Sequence, residues 1–238
     1  MKKLLLTATF LIIMIAINAQ NVQLHYDYGK DRGYLTSTVE MFKPDKWGAT
    51  FFFIDMNYSV ADNVDGISLG YWEIARTLKL GKATPFSAHF EYNGGMGKYI
   101  KGESAEEESM AAFTINDAYL VGIDYSWNAS DFSKGFSLKA LYKSIKDIDN
   151  ASFQITGVWY YNAFDSKLTF SGFADFWKEE KDFDFDGEAD GDYVFLTEPQ
   201  LWYNATKNIS IGGEVELSNN FVTDEFKVMP TAAIKWTF

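Results

Sequence analysis

Apolar and polar residues alternate with a period of two along most of the chain, the pattern of strands with two unlike faces. In FSLKALYK, Phe136, Leu138, Ala140 and Tyr142 share one face, and Ser137, Lys139 and Lys143 the other. In FSAHFEYN, Phe86, Ala88, Phe90 and Tyr92 alternate with Ser87, His89, Glu91 and Asn93. In ISIGGEVELS, Ile209, Ile211, Val215 and Leu217 alternate with Ser210, Glu214, Glu216 and Ser218. The closing PTAAIKWTF sets Ile234, Trp236 and Phe238 against Thr231, Lys235 and Thr237. Runs bounded by turn residues predict strands near 22–29, 33–43, 47–60, 67–80, 86–96 and 113–127. Six more are predicted near 135–145, 152–162, 167–178, 193–204, 207–218 and 226–238. That makes about twelve strands, and an even number is what a bacterial single-chain barrel requires.

The connections alternate in length as the strands alternate in direction. KPDK, GKATP, NASDFSKG, NAFDSK and NATKN are short or moderate turns. Between them fall ADNVDG, GGMGKYIKGESAEEESMAA, KDIDNA, KEEKDFDFDGEADGD and NNFVTDE. Short turns on one side and longer loops on the other predict an all-β fold: a transmembrane, antiparallel, up-and-down β-barrel. The stretch WGATFFFIDMNYSV then orients itself. Phe52, Ile54, Met56 and Tyr58 form an unbroken apolar face for lipid, and Phe51, Phe53, Asp55 and Asn57 face the interior. A soluble β-sandwich or lipocalin-like barrel is the alternative, but it would need an unusually large core for so many apolar faces. By parity, Trp72, Trp127, Trp159 and Trp236 point outward toward strand ends, and Trp47, Trp177 and Trp202 inward.

The chain opens with MKKLLLTATFLIIMIAINAQ, two lysines before an apolar run, which predicts a signal peptide over 1–19 and a barrel over 20–238. The apolar run is too short for a span of ~20 residues. Removing Lys2 and Lys3 would take the formal charge from −12 to −14. So acidic a chain is not expected to bind nucleic acid. With no cysteine it has no disulfides. An exported protein without a membrane helix can still span a membrane, provided its strands close.

Catalytic chemistry finds little support, and no enzyme activity and no cofactor are expected. His25 and His89 are the only histidines, without metal-ligand spacing, and no GxSxG or P-loop occurs. An outer-membrane lipid hydrolase would need a histidine toward lipid, whereas both share parity with polar neighbours that face inward. In DFDFDGEADGD, Asp182, Asp184, Asp186 and Asp190 match positions of a calcium-binding loop, but Tyr193 stands where the bidentate Glu belongs. A solvated acidic loop is the preferred reading of the same residues.

The inward parity carries the candidate lining. It holds Phe51, Phe53 and Asp55 on the third strand, Tyr71 and Glu73 on the fourth, and His89 and Glu91 on the fifth. Asp124 follows on the sixth and Lys139 and Lys143 on the seventh, then Phe173, Asp175 and Trp177 on the ninth and Glu198 and Gln200 on the tenth. Rings beside carboxylates and amides fit a solute with a flat face and polar edges, though rings also simply fill narrow barrels.

YLTSTVEMFKPDKWGATFFFIDMNYS, GYWEIARTLKL and FSGFADFW together resemble the nucleoside-specific channel-forming (Tsx-like) outer-membrane family. The resemblance implies a monomeric twelve-stranded barrel whose narrow pore binds nucleosides weakly through Phe51, Phe53, Asp55, Glu73, Phe173 and Asp175. His89, Glu91 and Glu198 match no ligand of that family. The expected partners are small polar solutes, nucleosides among them, outer-membrane lipid and lipopolysaccharide, and barrel assembly machinery reading the terminal Phe238. The expected function is a porin-like diffusion channel; the alternatives are a lipid hydrolase and a plugged structural or adhesive barrel. Arg76 alone sits badly, on the lipid-facing parity, which requires a bulge after Glu73 or a place near the periplasmic interface.

Overall fold

The computed structural model describes residues 20–59, 64–101, 109–148, 152–184, 186–187 and 189–238. The signal peptide expected over 1–19 lies outside the described residues. The alternating stretches form β1 (Gln20–Asp27), β2 (Leu35–Pro44), β3 (Gly48–Tyr58), β4 (Ile67–Lys79), β5 (Phe86–Lys101) and β6 (Ser109–Asn128). They continue as β7 (Lys134–Ile145), β8 (Ser152–Ala163), β9 (Leu168–Lys181), β10 (Gly191–Thr197), β11 (Gln200–Asn204), β12 (Ile209–Asn219) and β13 (Lys227–Thr237).

Neighbouring strands pair antiparallel from β1 to β9; β10 and β11 both lie between β9 and β12, and β13 joins β12 back to β1. β10 and β11 are thus two parts of one barrel strand, and the molecule is a closed, twelve-stranded antiparallel β-barrel. Closure leaves no edge strand with unpaired backbone groups. Both ends of the barrel sequence and the turns 45–47, 80–85, 129–133, 164–167 and 205–208 gather at one rim. The longer connections gather at the other.

Cross-strand register keeps the two faces apart around the whole barrel. Gln23, His25 and Asp27 are buried inside while Leu24 and Tyr26 between them are exposed. On β7, Leu141, Lys143 and Ile145 are buried and Leu138 and Tyr142 are exposed. One inward patch is itself apolar, formed by Ala118, Leu120, Leu141 and Ile145 on β6 and β7.

Four details differ from the pattern of the sequence. The strands β5 and β6 run on to Lys101 and back to Ser109, because Gly95 and Gly97 pair with Ile115 and Phe113 after a register shift at Asn93. The strand expected over 193–204 is interrupted at Glu198 and Pro199, since proline cannot donate to the ladder. Trp47 is not inward: it lies in the β2–β3 turn, 65% exposed, with the Lys46 ammonium 5.0 Å from its ring. With the exposed rings of Phe132, Phe164 and Trp236, it forms an aromatic belt at the short-turn rim. Trp72 faces outward but at mid-strand, across from Ile54 and Gly94.

Arg76 finds its place at that same rim. Register from Phe53 to Gly48 against β4 is unbroken, so no bulge turns the side chain. Its Nη1 lies 2.7 Å from the turn carboxylate of Asp45 and donates to Thr50 Oγ1 at 3.0 Å. The hydrogen bond from Arg76, with the Trp47 backbone N–H, holds the exposed Asp45 carboxyl well below the usual range. Arg76 therefore sits at the rim and avoids the cost of ~2–4 kcal/mol at the bilayer midplane.

Candidate functional site

The inner wall is built where register sets rings beside carboxylates. Phe53 pairs across the strands with Glu73, and Asp55 with Tyr71. Centroids of Phe51 and Phe53 are 6.0 Å apart, and those of Phe53 and Tyr71 are 5.8 Å apart. The Tyr71 hydroxyl donates to Glu73 Oε1 at 2.7 Å, and the Thr38 hydroxyl to Asp55 Oδ1 at 2.5 Å. These side chains are half-buried, which leaves one side of each toward the barrel axis.

Across the barrel, Phe173 pairs with Val158, and Asp175 with Thr156, whose hydroxyl donates to the carboxylate. Leu196 flanks Asp175 on the other side. Glu198 follows at the interruption between β10 and β11, where its backbone N–H donates to Phe173 O at 3.1 Å. The two walls meet electrostatically: Glu73 interacts with Asp175, and Glu198 with Asp55. Of the ten lining residues expected from sequence, Phe51, Phe53, Asp55, Tyr71, Glu73, Phe173, Asp175 and Glu198 thus occupy two facing walls around a common interior.

His89 and Glu91 lie deeper in the wall than expected of a solute contact. His89 is 1% exposed, with Nε2 2.8 Å from Glu91 Oε2 and Nδ1 3.9 Å from Asp124 Oδ2. His25 is buried likewise, between the Thr231 hydroxyl at 2.9 Å and Gln23 Oε1 at 3.0 Å. Neither histidine faces lipid, where a lipid hydrolase would place its site.

Two inward tryptophans pair with lysines, and one of these pairs is legible only in part from sequence. Lys143 donates to Gln154 Oε1 at 2.9 Å and lies 4.2 Å from the Trp177 ring, whose indole N–H donates to Glu179 Oε2 at 2.7 Å. Lys235 lies 3.9 Å from the Trp202 ring, and His25 meets that ring edge-on at 6.0 Å. Trp202 is wholly buried, and its indole N–H donates to Gln200 Oε1 at 2.9 Å. Parity alone put Trp202 inside; Lys235 and His25 come to it from strands distant in sequence. Glu214 is the other addition, 3.5 Å from His25 and accepting from Gln200 Nε2 at 2.9 Å.

At the long-loop rim, Arg32 bridges two inner-wall carboxylates, donating to Asp27 at 2.8 Å and to Glu216 at 3.0 Å. Burial opposes its charge, but the hydrogen bond to Asp27 and the charge of Glu216 outweigh burial and raise its pKa. In the loop after β9, carboxylate oxygens of Asp182, Asp184 and Asp190 lie within 4.8 Å of one another. Asp186, the other calcium-ligand candidate, is not part of that group; its backbone N–H donates to Asp184 at 3.3 Å.

A closed barrel of twelve strands, apolar outside and polar within, is the build of the outer-membrane porins. The family model for a domain of unknown function, DUF5020, matches residues 19–238, and the chain belongs to that family. The fold is similar to that of the KdgM porin, with a TM-score of 0.53 at 11% identity over 92% of this chain and 99% of that one. The KdgM porin in complex with disordered oligogalacturonate is similar too, with a TM-score of 0.52 at 12% identity and the same coverage. The outer membrane protein Omp33 of Acinetobacter baumannii has a TM-score of 0.45 at 14% identity, over 93% of this chain and 98% of that one. No curated protein matches the chain. The matching family is not the nucleoside-specific one that the sequence motifs resemble, and the membership stands on DUF5020.

Proposed function

We propose that the protein is a passive diffusion channel of the outer membrane, exported by a signal over residues 1–19, for small polar solutes that carry a ring. The observation that carries this reading is the Phe51–Phe53–Tyr71 ring series beside Asp55 and Glu73, facing Phe173 and Asp175 from the opposite wall. Stacking on such rings supplies weak affinity and the carboxylates supply hydrogen-bond acceptors, a combination that lets a solute bind and also leave. Barrels of this fold include one solved with oligogalacturonate, a chain of ring-shaped units. Nucleosides carry a flat ring with a polar edge and are the solute class to test first.

Liposome swelling with purified protein tests the proposal. Uridine and adenosine are expected to enter faster than an open-chain polyol of similar mass, and Phe53→Ala is expected to erase the preference while raising total flux. Equal rates for all solutes would overturn the ring-solute reading. No flux of any solute would favour a plugged structural or adhesive barrel instead.

A further inference from the structure

The interior carries far more carboxylates than cations at mid-barrel. Glu198, between β10 and β11, feels the charges of Glu214 on β12 and Asp55 on β3, and Glu214 feels that of Asp55. Glu198 is further surrounded by the charges of Glu216 and Asp175. The cations that approach are fewer: Lys143 on β7 reaches Glu73, Glu91 and Asp175 while its ammonium lies 4.2 Å from the Trp177 ring. Lys235 reaches the charge of Glu214 from β13 while its ammonium rests on Trp202. Lys139, paired across strands with Asp124, reaches Glu73, Glu91 and Asp175. Arg32 is already committed to Asp27 and Glu216.

A second feature of the wall asks for a donor. Asn93 is 6% exposed, lies on the inner face directly across from Glu73, and is two residues along from Glu91. Its Oδ1 has no hydrogen-bond partner among the described residues. A buried acceptor without a partner is unfavourable, which a cation or an N–H group at that spot would offset. Acceptor, carboxylates and rings converge on one chemistry, since an aromatic face attracts positive charge as a carboxylate does.

From this arrangement, and resting on the channel reading, we infer that the pore selects cations: it passes small inorganic cations and ring solutes bearing an ammonium group, and it excludes polyanions. A ring of carboxylates in a low-dielectric passage concentrates counter-ions and repels anions. The solute class therefore parts from the oligogalacturonate found with the KdgM porin, which is a polyanion.

Reversal potentials across a planar bilayer under a KCl gradient test the inference. The unaltered protein is expected to favour potassium over chloride roughly tenfold. The double variant Glu198→Gln/Glu214→Gln is expected to lose most of that ratio while its folded barrel still runs as a heat-modifiable band. Oligogalacturonate is expected neither to block the current nor to cross. Equal or anion-favouring permeation by the unaltered protein, or block by oligogalacturonate, overturns the inference and leaves the channel reading standing. An absence of any current overturns the channel reading, and the inference falls with it.

Discussion

Lys235 holds its ammonium 3.9 Å from the Trp202 ring, and Lys143 lies 4.2 Å from Trp177. A desolvated cation over an indole face gains about 2 kcal/mol, enough to help an ammonium stand inside a membrane barrel. Trp202 also fills the volume between His25 and Gln200, so its truncation removes packing as well as the cation's seat. Trp202→Ala is expected to destabilise the barrel by about 3–5 kcal/mol, read as a lower urea midpoint for unfolding from lipid vesicles. Lys235→Met, which keeps the stem over the ring, is expected to cost less. Equal losses would place the energy in the charge instead of the packing. Period-two parity already put both tryptophans inside, because side-chain direction in a strand is a local property. The lysine partner of Trp202 was not legible, because Trp202 and Lys235 lie on β11 and β13, two strands apart with β12 between them. The same distance hid the Asp45–Arg76 pair, so that Arg76 read as a misplaced charge.

Between β10 and β11 the inward series Leu196, Glu198, Gln200 and Trp202 continues without a change of parity, which is why the sequence reads as one strand. What breaks there is hydrogen bonding, not direction. Gly172 on β9 faces the interruption with φ +154, a backbone conformation that glycine adopts freely and other residues do not. A side chain at 172 would press on Glu198 O and Pro199 Cα at 2.6 and 3.0 Å. Gly172→Val is therefore expected to cost at least about 1–3 kcal/mol in strain alone and to displace Glu198 from the interior. The check is a lowered urea midpoint together with a shifted single-channel conductance; a variant of unchanged stability and conductance would show that the interruption needs no glycine. The long β5–β6 pair misleads in the opposite sense. Its GGMGKYIK run counts among the connections by glycine content, yet the backbone pairs through it, since glycine weakens a strand without forbidding one.

Closure is a property of the whole chain, and the last strand makes it. β13 pairs with β12 on one side and with β1 on the other, so no barrel exists until the final eleven-residue strand is in place. Its outward face presents Val228, Ile234, Trp236 and the terminal Phe238 to lipid, and its inward face supplies Lys235 to the charged wall. Phe238 closes the seam: its N–H donates to Gln20 O at 3.1 Å, and its ring lies 6.4 Å from that of Trp236. An unclosed sheet in a bilayer leaves a row of backbone groups unpaired, each costing several kcal/mol, so closure and insertion have to occur together. We propose that assembly machinery reads this aromatic strand before the seam exists. Phe238→Ala removes the ring but leaves the backbone bond to Gln20. It is accordingly expected to lower the amount of barrel recovered in outer membranes severalfold, while protein refolded into detergent keeps its heat-modifiable mobility. Equal loss in both settings would mean that the ring stabilises the seam itself; equal recovery in both would mean that neither assembly nor closure reads Phe238.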